Sequence, residues 1–190
     1  LKRWMDAFLS LVGLFIFFPL GLIISIAICL ESKGSIFYRQ ERVGEDGKTF
    51  NLLKFRSMRV NAEEKEPVWA AINDSRVTRV GKVMRKMRLD ELPQVINVLR
   101  GEMSFVGPRP ERPFFTEKLM KGIPFYSLRH SVKPGITGWA QIRYPYGASQ
   151  EDALEKLKYD LYYIKHMSPL MDTMIIMETL KTVLRGTGAR

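Results

Sequence analysis

The chain has 190 residues and a net charge of +10. That is one domain's worth of chain with a real core, and its basic surface calls for an anionic partner: lipid, phosphorylated substrate or nucleic acid. The single cysteine, Cys29, excludes an intramolecular disulfide and fits a reducing compartment, and neither His130 nor His166 has zinc-ligand spacing to anything nearby. No internal repeat or low-complexity tract appears, and a chain opening on Leu1 rather than methionine reads as a fragment or a processed product.

In chain order, Ala7 to Leu30 carries no charge and is dense in Leu, Ile and Phe. It is long enough to cross a bilayer as a helix. Pro19 near its centre removes a backbone hydrogen bond, and basic residues flank both ends: Lys2 and Arg3 before, Lys33 and Arg39 after. A helix–break–helix that enters and leaves on the cytoplasmic side accommodates these features; a spanning helix and a secretory signal remain alternatives. Two strands follow, Ile36 to Arg42 and Thr49 to Met58, with Asp46-Gly47 as a hairpin turn. Alternation in the second strand places Lys54 and Arg56 on one face, as a phosphate grip or simply a solvated face. Asn61 to Asp74 is polar, mixing a short helix with a loop. Asp74 and Ser75 offer N-caps for a basic amphipathic helix running to Met87, in which Arg76, Arg79, Lys82 and Arg85 recur every third residue.

The run Arg88-Leu89-Asp90-Glu91-Leu92-Pro93-Gln94 is the centre of the chain's chemistry. Two adjacent carboxylates cannot flank a substrate as glycosidase acids do. They could meet at one metal, or divide the work as nucleophile and ligand. The plainer reading has Asp90 capping the apolar helix that starts at Val95, with Glu91 in its first turn and the helix dipole holding both as anions. Gly101 to Met103 reads as a stop, and Phe105 to Pro113 as a rigid loop in which Pro108 and Pro110 bracket Arg109 and suit it to bidentate phosphate binding. Lys133-Pro134-Gly135 is a turn. Ser149 and Asp152 form a capping box that opens a helix ending before Ser168-Pro169, and a last helix runs from Leu170 to Leu184. No Walker loop, Rossmann fingerprint or Asp-x-Asp is present.

In sequence order, these stretches resemble one family, the bacterial sugar transferases of the monotopic polyprenyl-phosphate phosphoglycosyl transferase type. The match rests on the Lys2-Arg3 to Pro19 segment, Phe37-Tyr38-Arg39-Gln40-Glu41-Arg42-Val43-Gly44, Lys54-Phe55-Arg56-Ser57-Met58, Leu89-Asp90-Glu91-Leu92-Pro93-Gln94, Val106-Gly107-Pro108-Arg109-Pro110 and Lys133-Pro134-Gly135-Ile136-Thr137-Gly138. The resemblance implies transfer of a sugar-1-phosphate from a UDP-sugar to polyprenyl (undecaprenyl) phosphate, with release of UMP, as the first membrane step of glycoconjugate or exopolysaccharide assembly. Asp90 matches the nucleophile that forms a covalent phosphosugar intermediate. Glu91 matches the Mg²⁺ ligand, Arg109 a phosphate-binding arginine, and Lys54 and Arg85 further phosphate-contacting cations. Asp160 and Asp172 match acidic positions and are candidates for a nucleotide-side acidic site. The Trp139-Ala140-Gln141 and Tyr144-Pro145-Tyr146 stretches resemble members that use a hexose-1-phosphate donor.

The expected fold is α+β and mostly helical. It is a monotopic membrane protein with a re-entrant segment over residues 1–34, and a catalytic domain over 35–190 that carries a small hairpin and amphipathic surface helices. The expected setting is the cytoplasmic face of the bacterial inner membrane, with membrane lipids as partners, no nucleic acid, and a homodimer as a further possibility. Two other functions fit the residues: a membrane-anchored basic module that binds lipid or nucleic acid without chemistry, and a glycosyltransferase that moves sugar without phosphate.

Overall fold

Charge-free and rich in Leu, Ile and Phe, the first stretch folds as α1 (Lys2–Glu31), by far the longest element of the fold. The computed structural model describes residues 2–59, 75–144, 147 and 149–185. The polar Asn61 to Asp74 stretch, the candidate cap Asp74, and Pro145 and Tyr146 of the tyrosine loop lie outside the described residues. α1 stays one helical element with Pro19 inside it rather than dividing into two. A proline deletes a single N–H, and the hydrogen bonds on either side keep the helix going. Only Asp6, Ser10, Ile24 and Ile28 of this helix are buried, whereas Trp4, Phe15 and Leu30 are 80%, 85% and 83% exposed. Apolar exposure on this scale exceeds what a water-facing helix carries.

Both ends of α1 are bonded to the rest of the chain. At the start, Lys2 Nζ donates to Asp172 Oδ2 at 2.5 Å, and the Arg3 guanidinium donates to Val98 O and Leu99 O at 2.6 Å each. Those carbonyls belong to the last turn of α3 (Gln94–Arg100), where helix carbonyls lack intrahelical partners and a cation is favoured. At the far end, the Glu31 carboxylate accepts from Arg79 N and Val80 N at 2.6 and 3.0 Å, at the N-terminus of α2 (Arg79–Lys86). The side-chain cap of α2 is Thr78, whose Oγ1 accepts from Gly81 N; it replaces the Asp74 or Ser75 expected from the sequence. Val77 bridges to Met58, and this bridge holds the chain extended until Thr78.

β1 (Phe37–Val43) and β2 (Thr49–Phe55) pair antiparallel, from Phe37 opposite Phe55 to Val43 opposite Thr49. Asp46 and Gly47 turn the chain with φ of 56° and 74°, the conformation for which an Asp-Gly dipeptide is suited. The strand ends at Phe55, so alternation no longer governs Arg56. Arg56 turns away from Lys54 and donates to Ser32 O and Lys33 O just beyond α1. The expected pairing of two cations on one strand face is therefore corrected to Lys54 alone.

A second, smaller sheet joins β3 (Ser104–Val106) to β4 (Gly135–Thr137) in parallel. The backbones approach so closely here that a Cβ on Gly135 would stand 2.1 Å from Gly107 N, which only glycine allows. α4 (Pro113–Gly122), α5 (Trp139–Arg143), α6 (Gln150–His166) and α7 (Pro169–Leu184) complete the chain. The Ser149/Asp152 capping box at the start of α6 is formed in both directions. Ile24, Ile28, Phe55 and Met84 pack α1 onto β2 and α2, and Val106, Tyr163, Met171 and Ile175 pack β3 onto α6 and α7. The architecture is mostly helical with two small sheets and one long apolar helix.

Candidate active site

α2 ends at Lys86, and the chain reverses through Arg88, a non-glycine residue at φ 54° in the left-handed region. A single 3-10 turn, Leu89–Glu91, follows, and α3 starts only at Gln94 with Pro93 in the N-cap position. Neither carboxylate caps a helix: the turn has no side-chain cap bond, and neither does α3. The helix-cap reading of Asp90 falls, because Pro93, preset for the first turn of a helix, moves the start of α3 past both acids.

Asp90 is 8% exposed. Glu91 Oε1 accepts from two cations at once, Lys54 Nζ at 2.9 Å and Arg109 Nη2 at 2.7 Å, while Arg88 stands 3.9 Å from Oε2. Lys54 comes from β2, Arg109 from the loop after β3. The two acids therefore have pKa values pushed in opposite directions. Burial pushes Glu91 up, but Arg109 and Lys54 override it and hold its carboxyl well below the usual carboxylate range. Burial raises the Asp90 carboxyl and the Glu91 anion adds to it; Lys54, Arg85 and Arg109 pull the other way without overcoming the rise. The carboxyl with the raised pKa is the more nucleophilic once ionised, and its neighbour remains an anion that holds the cations in place.

Of the candidates, Asp90, Glu91, Lys54, Arg85 and Arg109 therefore come to one place. Arg85 Nε is bonded to Ser57 Oγ at 2.9 Å and acts on Asp90 through its field. Asp160 and Asp172 go elsewhere. Asp160 is buried against Arg129, whose Nε and Nη2 donate to its Oδ2 at 3.1 and 2.9 Å. Asp172 accepts from Lys2 and from Tyr163 Oη, the latter at 2.7 Å. Both acids are buried in ion pairs with partners distant in sequence, Arg129 and Lys2. Among the described residues no group of three His, Cys, Asp or Glu side chains could hold a metal. His130 is kept neutral, its pKa lowered to about 4 by burial and by Arg129.

Two features of the site were not read from the sequence. Along β1, Tyr38, Gln40 and Arg42 share the face that carries Lys54 on β2. Arg42 donates to Gln40 Oε1, and Gln40 donates to Tyr38 Oη at 3.1 Å. The period-2 spacing of Tyr38, Gln40 and Arg42 was the signal available for this ladder. Gln94 shares a cavity with Arg109 and with Arg42 of that ladder. Its Nε2 is buried without a hydrogen-bond partner among the described residues, and it lines a small cavity with Arg42, Leu52, Arg109 and Pro110. A donor buried without a partner is costly, and this one opens on a space beside the phosphate-binding candidate.

Comparison with known proteins follows the same lines. Residues 1–186 match the family model described as bacterial sugar transferase. The chain is 46% identical over 190 residues to the UDP-N-acetylgalactosamine-undecaprenyl-phosphate N-acetylgalactosaminephosphotransferase of Aeromonas hydrophila, covering 100% of this chain and 45% of that protein. It is 45% identical over 184 residues to the UDP-glucose:undecaprenyl-phosphate glucose-1-phosphate transferase of Escherichia coli, covering 95% of this chain and 39% of that one. It is 38% identical over 198 residues to an exopolysaccharide production protein of Rhizobium leguminosarum, across 99% of this chain and 98% of that protein. The chain thus spans less than half the length of the first two relatives and nearly all of the third.

Proposed function

The chain belongs to the bacterial sugar transferase family, and from that premise we propose that it moves a sugar-1-phosphate from a UDP-sugar to undecaprenyl phosphate through a covalent intermediate on Asp90. The observation that carries this reading is the unequal acid pair: Asp90 buried with a raised pKa beside a Glu91 anion that two cations hold. In the first half-reaction an Asp90 carboxylate oxygen attacks the β-phosphorus. The bond from that phosphorus to the bridging oxygen breaks, and UMP leaves with the electron pair. The sugar phosphate is then an acyl phosphate on Asp90. In the second half-reaction an oxygen of undecaprenyl phosphate attacks the same phosphorus, Asp90 leaves as a carboxylate, and the lipid diphosphosugar departs. Phosphoryl transfer needs positioning and charge neutralisation more than proton transfer, and Lys54, Arg85 and Arg109 surround the attacking group with positive charge. His130, held neutral away from the acid pair, has no part in this scheme.

The family resemblance also implies magnesium. We place it at Glu91 Oε2, the oxygen that Lys54 and Arg109 leave free of direct bonds; water and substrate phosphate would have to complete its shell, since among the described residues no group of three His, Cys, Asp or Glu side chains could hold a metal. When bound, the ion would neutralise charge on the transferring phosphate. The chain's own residues bind and orient: Lys54 and Arg109 hold Glu91, and the proline-bracketed loop aims Arg109 at the same site.

A re-entrant α1, turned by a bend at Pro19 that leaves the helix continuous, would serve the lipid acceptor. Thirty helical residues extend about 45 Å, yet Lys2 pairs with α7 and Glu31 caps α2, both parts of the remaining chain. A helix crossing the bilayer would carry one of these attachments to the far side. Val83 on α2 and Met87 just after it stay 60% and 53% exposed, placing a soft apolar surface in the seven residues before Asp90. A UDP-sugar donor would place the site on the cytoplasmic face of the inner membrane.

The test is intact-protein mass spectrometry after mixing enzyme and UDP-sugar without lipid acceptor. The expected result is a mass gain of one phosphosugar on the peptide containing Asp90, release of UMP before acceptor is added, and loss of both in Asp90→Asn. No adduct and no UMP until the acceptor arrives would mean direct displacement. Release of UDP in place of UMP would mean sugar transfer without phosphate.

A further inference from the structure

Arg109 projects from a loop whose backbone is tied down at successive residues. Pro108 O accepts from Gly135 N, Arg109 O from Arg129 Nη2, Pro110 O from Arg42 Nη1 and Glu111 O from Val43 N, each at 2.9 Å. Pro108 and Pro110 have no N–H to offer, so carbonyl acceptors are the main means of fixing this segment. Backbone donors bind two of the four carbonyls. Arginine side chains bind the other two, the carbonyls on either side of the Pro110 ring.

Arg129 is built for that contact. Its side chain is 7% exposed and that of Asp160 is 2%. Nε and Nη2 grip Asp160 Oδ2, Nη1 donates to Tyr126 Oη at 2.7 Å, and Nη2 has a second contact at Arg109 O. A buried ion pair is a poor way to gain stability, since apolar side chains of the same volume often serve as well or better. A guanidinium is the side chain that can fill a carboxylate and still present a donor in a fixed plane to a third group. Asp160 sits on α6 and fixes the plane of the fork; the fork fixes the carbonyl of the residue whose side chain holds Glu91.

We propose that Asp160 and Arg129 are positioning residues for Arg109: a buried carboxylate–guanidinium unit that sets the Arg109 backbone and so aims its side chain at Glu91 and the substrate phosphate. The proposal rests on the phosphosugar-transfer reading for what Arg109 binds, and on geometry alone for what holds Arg109. Asp160 thereby serves phosphate binding from a distance, without touching the nucleotide.

A merely structural pair and a positioning pair differ in their coupling to Arg109, and a double-mutant cycle measures it. The paired variant Arg129→Met/Asp160→Leu replaces the ion pair with apolar groups of similar size, and Arg129→Lys keeps the charge opposite Asp160 but loses the planar fork. Each is combined with Arg109→Lys. Two readouts run in parallel on the full chain in lipid nanodiscs: the single-turnover rate of adduct formation from UDP-sugar, and the dissociation constant of UDP. The expected result is a loss of tenfold or more in adduct rate for both Arg129 backgrounds, with melting near wild type for Arg129→Lys. In those backgrounds the Arg109→Lys penalty should shrink at least tenfold, and UDP binding should show the same non-additivity. An Arg109→Lys penalty of unchanged size in a folded Arg129 background would overturn the proposal and leave the pair as a staple between α6 and the Tyr126–His130 turn. A wild-type chain that binds UDP but forms no adduct would sink the covalent reading, and the UDP cycle would still decide the positioning. A wild-type chain that neither binds UDP nor forms adduct would overturn both.

Discussion

Replacing Glu91 by Gln keeps shape and removes one charge from a cluster that the charge holds together. Lys54 Nζ and Arg109 Nη2 share Glu91 Oε1 at 2.9 and 2.7 Å. The substitution removes the attraction of one anion for two cations, worth several kcal/mol at an effective dielectric of about 20, and relieves the cost of burying the carboxylate, which offsets much of it. Arg109 is 37% exposed, so water screens part of this, and a net loss of about 2 kcal/mol is the expectation. For a domain of this size that is a fall of about 4–8 °C in melting temperature. The pH dependence has a definite sign. The folded pKa of Glu91 is depressed, so its contribution is complete above the unfolded value of about 4.3 and is lost only as pH falls through the lower folded value. The gap between wild type and Glu91→Gln should stay flat from pH 8 to about 5 and close below about 4. Asp90 has the reverse sign: its folded pKa is raised, so its ionisation costs stability as pH rises through that value. Asp90→Asn should therefore melt at or above wild type at pH 7.5 while forming no adduct. Tryptophan-fluorescence melts of the three proteins in one lipid system provide the data. Glu91→Gln melting at or above wild type would refute this electrostatic account, as would a gap that narrows between pH 8 and 5.

Three further outcomes are expected. Arg109→Lys keeps the charge but loses the fork, so turnover should fall well over tenfold, while Arg112→Lys, outside the proline bracket, should fall much less; near-normal turnover of Arg109→Lys would reduce Arg109 to a loop residue. Gln94→Met removes the unpartnered Nε2 at nearly constant volume; the melting temperature should hold or rise by a degree or two and KM for UDP-sugar should rise severalfold, and an unchanged KM would make the cavity a packing feature. Cysteines placed at Leu1 and Ser35 should both be shielded from a periplasmic thiol reagent in intact cells, with Pro19→Ala increasing the spanning fraction; labelling of either site in the unaltered helix would refute the re-entrant topology.

What the sequence made legible, and what it hid, divides by distance along the chain. The long apolar helix, the hairpin at Asp46-Gly47 and the capping box at Ser149 are local patterns, and the structure contains each of them. Lys54, Glu91 and Arg109 were singled out from different stretches by motif order, and their meeting at a single oxygen could not be read from any one of those stretches. Asp160 and Asp172 were read as acids near a nucleotide because their partners, 31 and 170 residues away, carry no local signature. Arg56 was misplaced because β2 stops one residue short of it, and strand ends are the least legible feature of an alternating run. β3 and β4 are three residues each and pair in parallel across some thirty residues, too short for periodicity to register.

The contact between Lys2 and Asp172 has a consequence for the order of assembly. The two residues are 170 apart in sequence. At roughly 5–20 residues per second of synthesis, α1 leaves the ribosome on the order of ten to thirty seconds before α7 exists to receive it. Through that interval the helix exposes Phe15, Phe18 and their neighbours with no protein surface to cover them. A bilayer is the surroundings in which that exposure would cost least over the interval. Lys2, released from Asp172 until the final helix forms, is free meanwhile to anchor among anionic headgroups. Closing the Lys2–Asp172 pair then joins the start of α1 to α7 only after every element between them has been made.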